Sequence, residues 1–184
     1  GTSLTANGAW VEQLETALEA QFPGKCTLVN SGGAGKNSHW GLEQLERRVL
    51  QHKPDTVFIE FSMNDAVARF DITVEVARKN LEAMISRILE MNADCEVILM
   101  TMTTGNKYPE GHRSYRKDIE AHYEMYRTIA KERELLLIDH YPQWQALQAF
   151  KPKLFKQYVP DTIHAKDEGY SKVVTPVISE TLGI

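Results

Sequence analysis

Thr56-Val57-Phe58-Ile59-Glu60-Phe61 is a nearly continuous apolar run, introduced by Pro54-Asp55 and closed by Ser62-Met63-Asn64-Asp65. Runs of this kind mark strands covered on both faces, as in a parallel sheet lying between helices. Glu96-Val97-Ile98-Leu99-Met100-Thr101 and Leu135-Leu136-Leu137-Ile138-Asp139 repeat the pattern, and Cys26-Thr27-Leu28-Val29-Asn30 reads as a shorter strand before them. The intervening segments carry apolar residues at helical spacing. Trp10, Val11, Leu14, Leu18 and Phe22 lead to a stop at Pro23-Gly24, and Leu42, Leu45 and Val49 follow a cap at Asn37 or Ser38. Ala77, Leu81, Met84, Ile85 and Ile88 share one face of a helix over 73–91, and Ile119, Tyr123, Tyr126 and Ile129 one over 115–134. Short helical pieces are expected around Trp144, Leu147, Phe150 and Phe155. A last helix, capped by Asp167, carries Tyr170, Val174 and Ile178, with Pro176 placed to kink or divide it. Strand and helix in alternation predict an α/β protein with a mainly parallel sheet, in which ligands gather at the carboxyl ends of the strands.

At 184 residues and 42% hydrophobic content, the chain suits one domain spanning 1–184 with a substantial core. It has no linker-like tract and no internal repeat. The net charge of -4 is mild and the basic residues are scattered, which argues against nucleic acid as a partner. No apolar run approaches the roughly 20 residues that span a bilayer. Cys26 and Cys95 read as two buried thiols, not as a disulfide, and they do not fix the compartment. A secreted or periplasmic location stays open. A loop bearing a nucleophile at Ser3 would normally follow an apolar strand, so the natural N-terminus and that first strand are expected to be missing.

The residues with chemistry to offer lie far apart. Asp161-Thr162-Ile163-His164, introduced by Pro160, has a spacing that lets a carboxylate accept from one imidazole nitrogen while the other faces a substrate. A serine hydroxyl needs such a base to become a nucleophile, and Gly1-Thr2-Ser3-Leu4 supplies the serine. The N–H groups of Ser3 and Gly35 and the side-chain amide of Asn64 form a candidate oxyanion hole; losing one such donor typically costs about 2.7–4 kcal/mol of transition-state stabilisation. Each piece also has a bland reading: a surface histidine near an aspartate, glycine turns with φ > 0 at Gly33 and Gly35, and an Asx turn at Asn64-Asp65. Gly35-Lys36-Asn37 lacks the hydroxyl of a phosphate-binding loop. The other histidines show no metal-ligand spacing, and no metal or cofactor is implied. The loop with Lys107, Tyr108, His112, Arg113 and Tyr115 mixes aromatic and basic groups and can border a substrate pocket or simply connect two elements.

The order Ser3, Gly35, Asn64, Asp161, His164 resembles the SGNH hydrolases, also called GDSL hydrolases, over nearly the whole chain. Gly1-Thr2-Ser3-Leu4 stands where that family has G-D-S-L. Asn30 to Ser38 is similar to its second block, Ser62-Met63-Asn64-Asp65 to its G-x-N-D block, and Asp161 to His164 to its D-x-x-H block. Thr2 replaces the aspartate and Ser62 a glycine; neither change removes a catalytic atom. The resemblance implies a three-layer α/β/α, flavodoxin-like sandwich with Ser3 as nucleophile, His164 as base and Asp161 as its orienting acid. It further implies oxyanion donors at Ser3, Gly35 and Asn64, and a small-molecule or carbohydrate ester as substrate. A serine esterase that removes O-acetyl groups from a carbohydrate is the leading expectation. A lysophospholipase or thioesterase is the second, and an inactive carbohydrate-binding domain the third.

Overall fold

The computed structural model describes residues 1–184. Its centre is the strand β2 (Glu96–Thr101), paired in parallel with β1 (Thr56–Ile59) on one side and β3 (Leu136–Asp139) on the other. Val57 lies opposite Val97, and Leu99 opposite both Ile59 and Leu137. Because strand side chains alternate between faces, β2 divides its apolar residues between two cores. Val97 and Leu99 join Leu45, Leu81, Met84, Ile85, Ile88, Tyr126 and Ile129. Ile98 and Met100 join Leu4, Leu14, Tyr123, Trp144, Phe155, Val174 and Ile178. A strand read as apolar throughout is thus buried on both sides, and the layering is α/β/α.

Ten α-helices surround the sheet. Near the N-terminus come α1 (Ser3–Ala6), α2 (Trp10–Gln21) and α3 (Ser38–Arg48), and α4 (Ser62–Asp65) and α5 (Val74–Met91) lie between β1 and β2. Next are α6 (Ile119–Glu132), which joins β2 to β3, and then α7 (Tyr141–Phe150), α8 (Pro152–Tyr158), α9 (Asp167–Gly169) and α10 (Thr175–Leu182). Asn37 caps α3 by accepting from the Trp40 N–H, and Thr73 caps α5 by accepting from Val76. No helix is long and apolar enough to cross a membrane.

Several local expectations are corrected. Cys26–Asn30 is not a strand. Its backbone makes no backbone hydrogen bond, and it faces the outer edge of β1 across an apolar groove of about 810 Å³ lined by Leu14, Leu18, Leu28, Val57 and Phe58. With no strand beside it, the segment leaves Val29 and Cys26 exposed, so only Cys95 is a buried thiol. The helix expected from Tyr115 starts at Ile119, because Arg116 forms an antiparallel bridge with Val67 and Asp118 is left-handed at φ 56°. Ser62–Asp65 is a helical turn, not an Asx turn. Asp167 is the first residue of α9 and its side chain caps nothing. Pro176 does divide the last helix: a π-helical stretch, Tyr170–Val174, runs directly into α10, where the missing N–H of proline is tolerated in the first turn.

His140 has the sharpest polar problem in the core. It is fully buried and neither ring nitrogen has a partner; Trp144 Nε1, one turn on, is also unpaired. Burial pushes the His140 pKa down from 6.5 to about 4, against the pull of Asp139. A base whose pKa falls on folding contributes stability that is complete above pH 6.5 and is lost as pH drops toward 4, on the order of 3 kcal/mol for such a shift. His140→Phe should therefore flatten this limb of the stability curve. Urea unfolding of both proteins at pH 7, 5.5 and 4 checks it, and parallel acid losses in the two would assign the sensitivity to other groups.

Candidate active site

The first turn of the chain is held from beneath. Thr2 precedes α1 with extended backbone, and its hydroxyl accepts from the Leu4 N–H. This leaves Ser3 at the first helical position, where an N–H has no intrahelical partner. Ser3 Oγ lies 3.0 Å from His164 Nε2, and His164 Nδ1 lies 2.7 Å from Asp161 Oδ2. The other carboxylate oxygen, Oδ1, accepts from the backbone N–H of Ile163 at 2.9 Å and of His164 at 2.7 Å. Burial alone would raise the Asp161 pKa, but the His164 ring and these two N–H groups hold it down at about 2. An ionised carboxylate only accepts, so the ring proton sits on Nδ1 and Nε2 is left as acceptor for the serine hydroxyl.

The loop carrying Asp161 and His164 is anchored to the one that follows β2. Thr103 Oγ1 donates to Ile163 O at 2.7 Å, the Gly105 N–H to Thr162 O at 2.7 Å, and the Lys107 N–H to Thr162 Oγ1 at 3.0 Å. These bonds support Thr162 in a left-handed conformation at φ 64°, which a β-branched residue adopts only under constraint. The loop after β2 is therefore a brace for the site, through Thr103, Gly105 and Lys107, as well as a connection. Its outer part stacks Tyr108 on His112 with centroids 4.2 Å apart.

The candidate oxyanion donors are linked to the same turn. The Gly33 N–H donates to Gly1 O at 2.9 Å, and Asn64 Nδ2 donates to Lys36 O at 2.7 Å. A carbonyl can only accept, so this bond fixes the orientation of the Asn64 amide and leaves its second N–H free. Gly35 has φ +71° and its N–H meets no protein acceptor; the Ser3 N–H is free as well. Of the two glycines read as candidate φ > 0 turns, only Gly35 is one. Gly33 is required by packing instead, since a Cβ there would lie 2.6 Å from the Trp40 ring.

Beside Asn64, Asp65 accepts from the Ser38 N–H at 2.8 Å, and burial raises its pKa to about 7. Sequence reasoning passed over Glu60, which is buried against Thr2 and Thr5. The signal was a lone acid inside the run Phe58-Ile59-Glu60-Phe61. The bracing threonines Thr103 and Thr162 carried no signal at all.

A family model described as GDSL-like lipase/acylhydrolase matches residues 1–172. An arylesterase of Vibrio mimicus is 25% identical over 160 residues, 83% of this chain and 74% of its own. The crystal structure of a lipase/acylhydrolase from Enterococcus faecalis has a TM-score of 0.79 at 26% identity, covering 99% of this chain and 92% of that one. An acetylxylan esterase from Geobacillus stearothermophilus has a TM-score of 0.77 at 19% identity, covering 95% and 81%; at that identity the likeness is one of fold.

Because no atom lies within 4 Å of a Cβ built on Gly35, Gly35→Ala meets only the backbone cost of a left-handed L-residue, about 1–2 kcal/mol. Gly33→Ala meets the Trp40 ring and should lose more. Urea unfolding of the two variants tests the ranking, and the reverse order would contradict this account of the loop.

Proposed function

The chain belongs to the GDSL-like lipase/acylhydrolase family, and from that premise we propose that it is a serine carboxylic ester hydrolase removing small O-acyl groups, acetyl foremost, from a carbohydrate. The observation that carries this reading is the line from Ser3 Oγ through the His164 ring to Asp161, at 3.0 and 2.7 Å. In the proposed reaction Ser3 Oγ attacks the ester carbonyl as its proton passes to His164 Nε2. The oxyanion of the tetrahedral intermediate takes hydrogen bonds from the N–H groups of Ser3 and Gly35 and from the free N–H of Asn64. Collapse expels the alcohol, which takes the proton from His164 and leaves an acyl-enzyme. A water then gives its proton to His164 and attacks the acyl carbon; as that intermediate collapses, its bond to Ser3 Oγ breaks, His164 returns the proton to Oγ, and the acid is released. Asp161, ionised down to about pH 2, steadies the imidazolium in both halves.

The preference for a short acyl group on a bulky alcohol is supported by exposure. The His164 side chain is 52% exposed, so the base sits where a large leaving group can approach from solvent. The names of similar proteins, arylesterase and acetylxylan esterase, are in keeping with this.

Ser3→Ala should abolish hydrolysis of p-nitrophenyl acetate while leaving urea unfolding unchanged; turnover surviving in that variant would refute the assignment. Asn64→Ala should lower kcat by about 10²–10³. A p-nitrophenyl ester series from acetate to octanoate should show kcat/KM falling with chain length. A rise toward octanoate would favour a lipid esterase instead.

A further inference from the structure

We propose that Glu60 is a positioning residue for the nucleophile, its buried carboxylate gripping Thr2 and so fixing the turn that presents the Ser3 hydroxyl and N–H. The inference rests on the ester-hydrolase reading of Ser3. Glu60 is 2% exposed and follows β1 directly. Its Oε1 accepts from the Thr2 N–H and from Thr5 Oγ1 at 2.8 Å, and Thr2 Oγ1 lies 3.0 Å from both carboxylate oxygens. Two threonines thus direct three donors, one N–H and two O–H, at one buried carboxylate. Thr2 is wholly buried, so without Glu60 its N–H and hydroxyl would have to be solvated by nothing.

Ser3 has two neighbours to fix it. On one side Leu4 is wholly buried, and its carbonyl accepts from Trp10 Nε1 at 2.9 Å. On the other side Thr2 relies on Glu60. The space is closely fitted, because a Cβ on Gly1 would lie 2.3 Å from Thr5 Oγ1 and 2.7 Å from Glu60 Oε1. The placement of Glu60 also explains why the grip matters to chemistry. It stands four residues before Asn64, so a single short stretch, Glu60 to Asn64, anchors both the nucleophile turn and the amide proposed to bind the oxyanion. Their separation is then set by one rigid segment and not by two independent loops.

The test uses Glu60→Gln, Glu60→Ala and Thr2→Val, with urea unfolding measured for each. A glutamine can accept from the Thr2 N–H and donate to a threonine hydroxyl; alanine can do neither. Valine keeps the shape of Thr2 without its hydroxyl. We expect Glu60→Ala and Thr2→Val to lower kcat for p-nitrophenyl acetate by about tenfold or more, as small misplacements of a reacting group do. KM should stay within about threefold, since substrate binding is untouched. Glu60→Gln should recover most of the lost kcat. The rate at which phenylmethylsulfonyl fluoride inactivates Ser3 should fall in step with kcat. If Glu60→Ala does not fold, Thr2→Val and Glu60→Gln still carry the comparison. Folded variants with unchanged kcat and unchanged inactivation rate would overturn the proposal, as would a loss confined to unfolding stability. An unsubstituted protein that neither turns over nor reacts with the sulfonyl fluoride would instead overturn the hydrolase reading on which it rests.

Discussion

The contact between Ser3 Oγ and His164 Nε2 joins residues 161 positions apart, and nothing local in the chain holds it. It is held through the sheet. Ser3 is fixed through Thr2 to Glu60, at the end of β1. His164 is fixed through Thr103, Gly105 and Lys107 to the loop at the end of β2. The two strands are paired in parallel, Val57 beside Val97, so their register sets the distance between the two halves of the site. A slip of one residue moves a strand by about 3.3 Å, whereas a useful hydrogen bond tolerates only a few tenths of an ångström. The apolar packing on both faces of β2 is therefore a condition for the site's geometry as well as for stability, because a one-residue slip would turn each of those side chains to the wrong face.

Three acids near this edge show how environment divides their roles. Asp161 accepts two backbone N–H bonds and faces the histidine ring, and these overcome its partial burial to keep it ionised at about 2. Asp65 is more deeply buried with one backbone donor, and there burial wins, raising it to about 7. Glu60 is as deeply buried as Asp65. Desolvation pushes its pKa up, while the bonds from Thr5 and Thr2 pull it down. Only Asp161 reaches a group that changes its own protonation in the proposed reaction. The other two lock backbone: Asp65 the start of α3, and Glu60 the start of α1.

The layering was legible because it depends on runs and periods. The strand at Glu96–Thr101 could be read directly, since a strand buried on both faces shows an unbroken apolar run, and α5 followed from five apolar residues on one face. Cys26–Asn30 has the composition of a strand but no neighbouring strand to complete the ladder, and pairing is not a property of a single segment. Asp161 and His164 could be paired from their spacing because the carboxylate reaches the ring within one turn. Glu60 could not be assigned to Thr2 in this way, because 58 residues separate them and only the fold places them together. Residues 115–118 have helical composition, yet their backbone bonds to Ala66 and Ala68 and forms a bridge instead; tertiary pairing outweighed propensity there.

The same rigidity bears on which esters the proposed site can favour. Its groups are held by short bonds to backbone or to buried side chains: Asn64 by a carbonyl, Asp161 by two N–H groups, Thr2 by a carboxylate. Such a site does not need to close over its substrate to assemble its donors, so selectivity has to come from the shape of the rim and not from an induced enclosure. A long acyl chain gains from being enclosed, because its stabilisation scales with apolar area removed from water. The His164 side chain is half exposed, so on that side the site does not enclose a chain. A short acyl group on a hydroxyl-rich alcohol loses least in that setting, because its alcohol can remain partly solvated while the carbonyl alone enters the donors. The exposure of His164 is thus in keeping with the short O-acyl substrate proposed for the site.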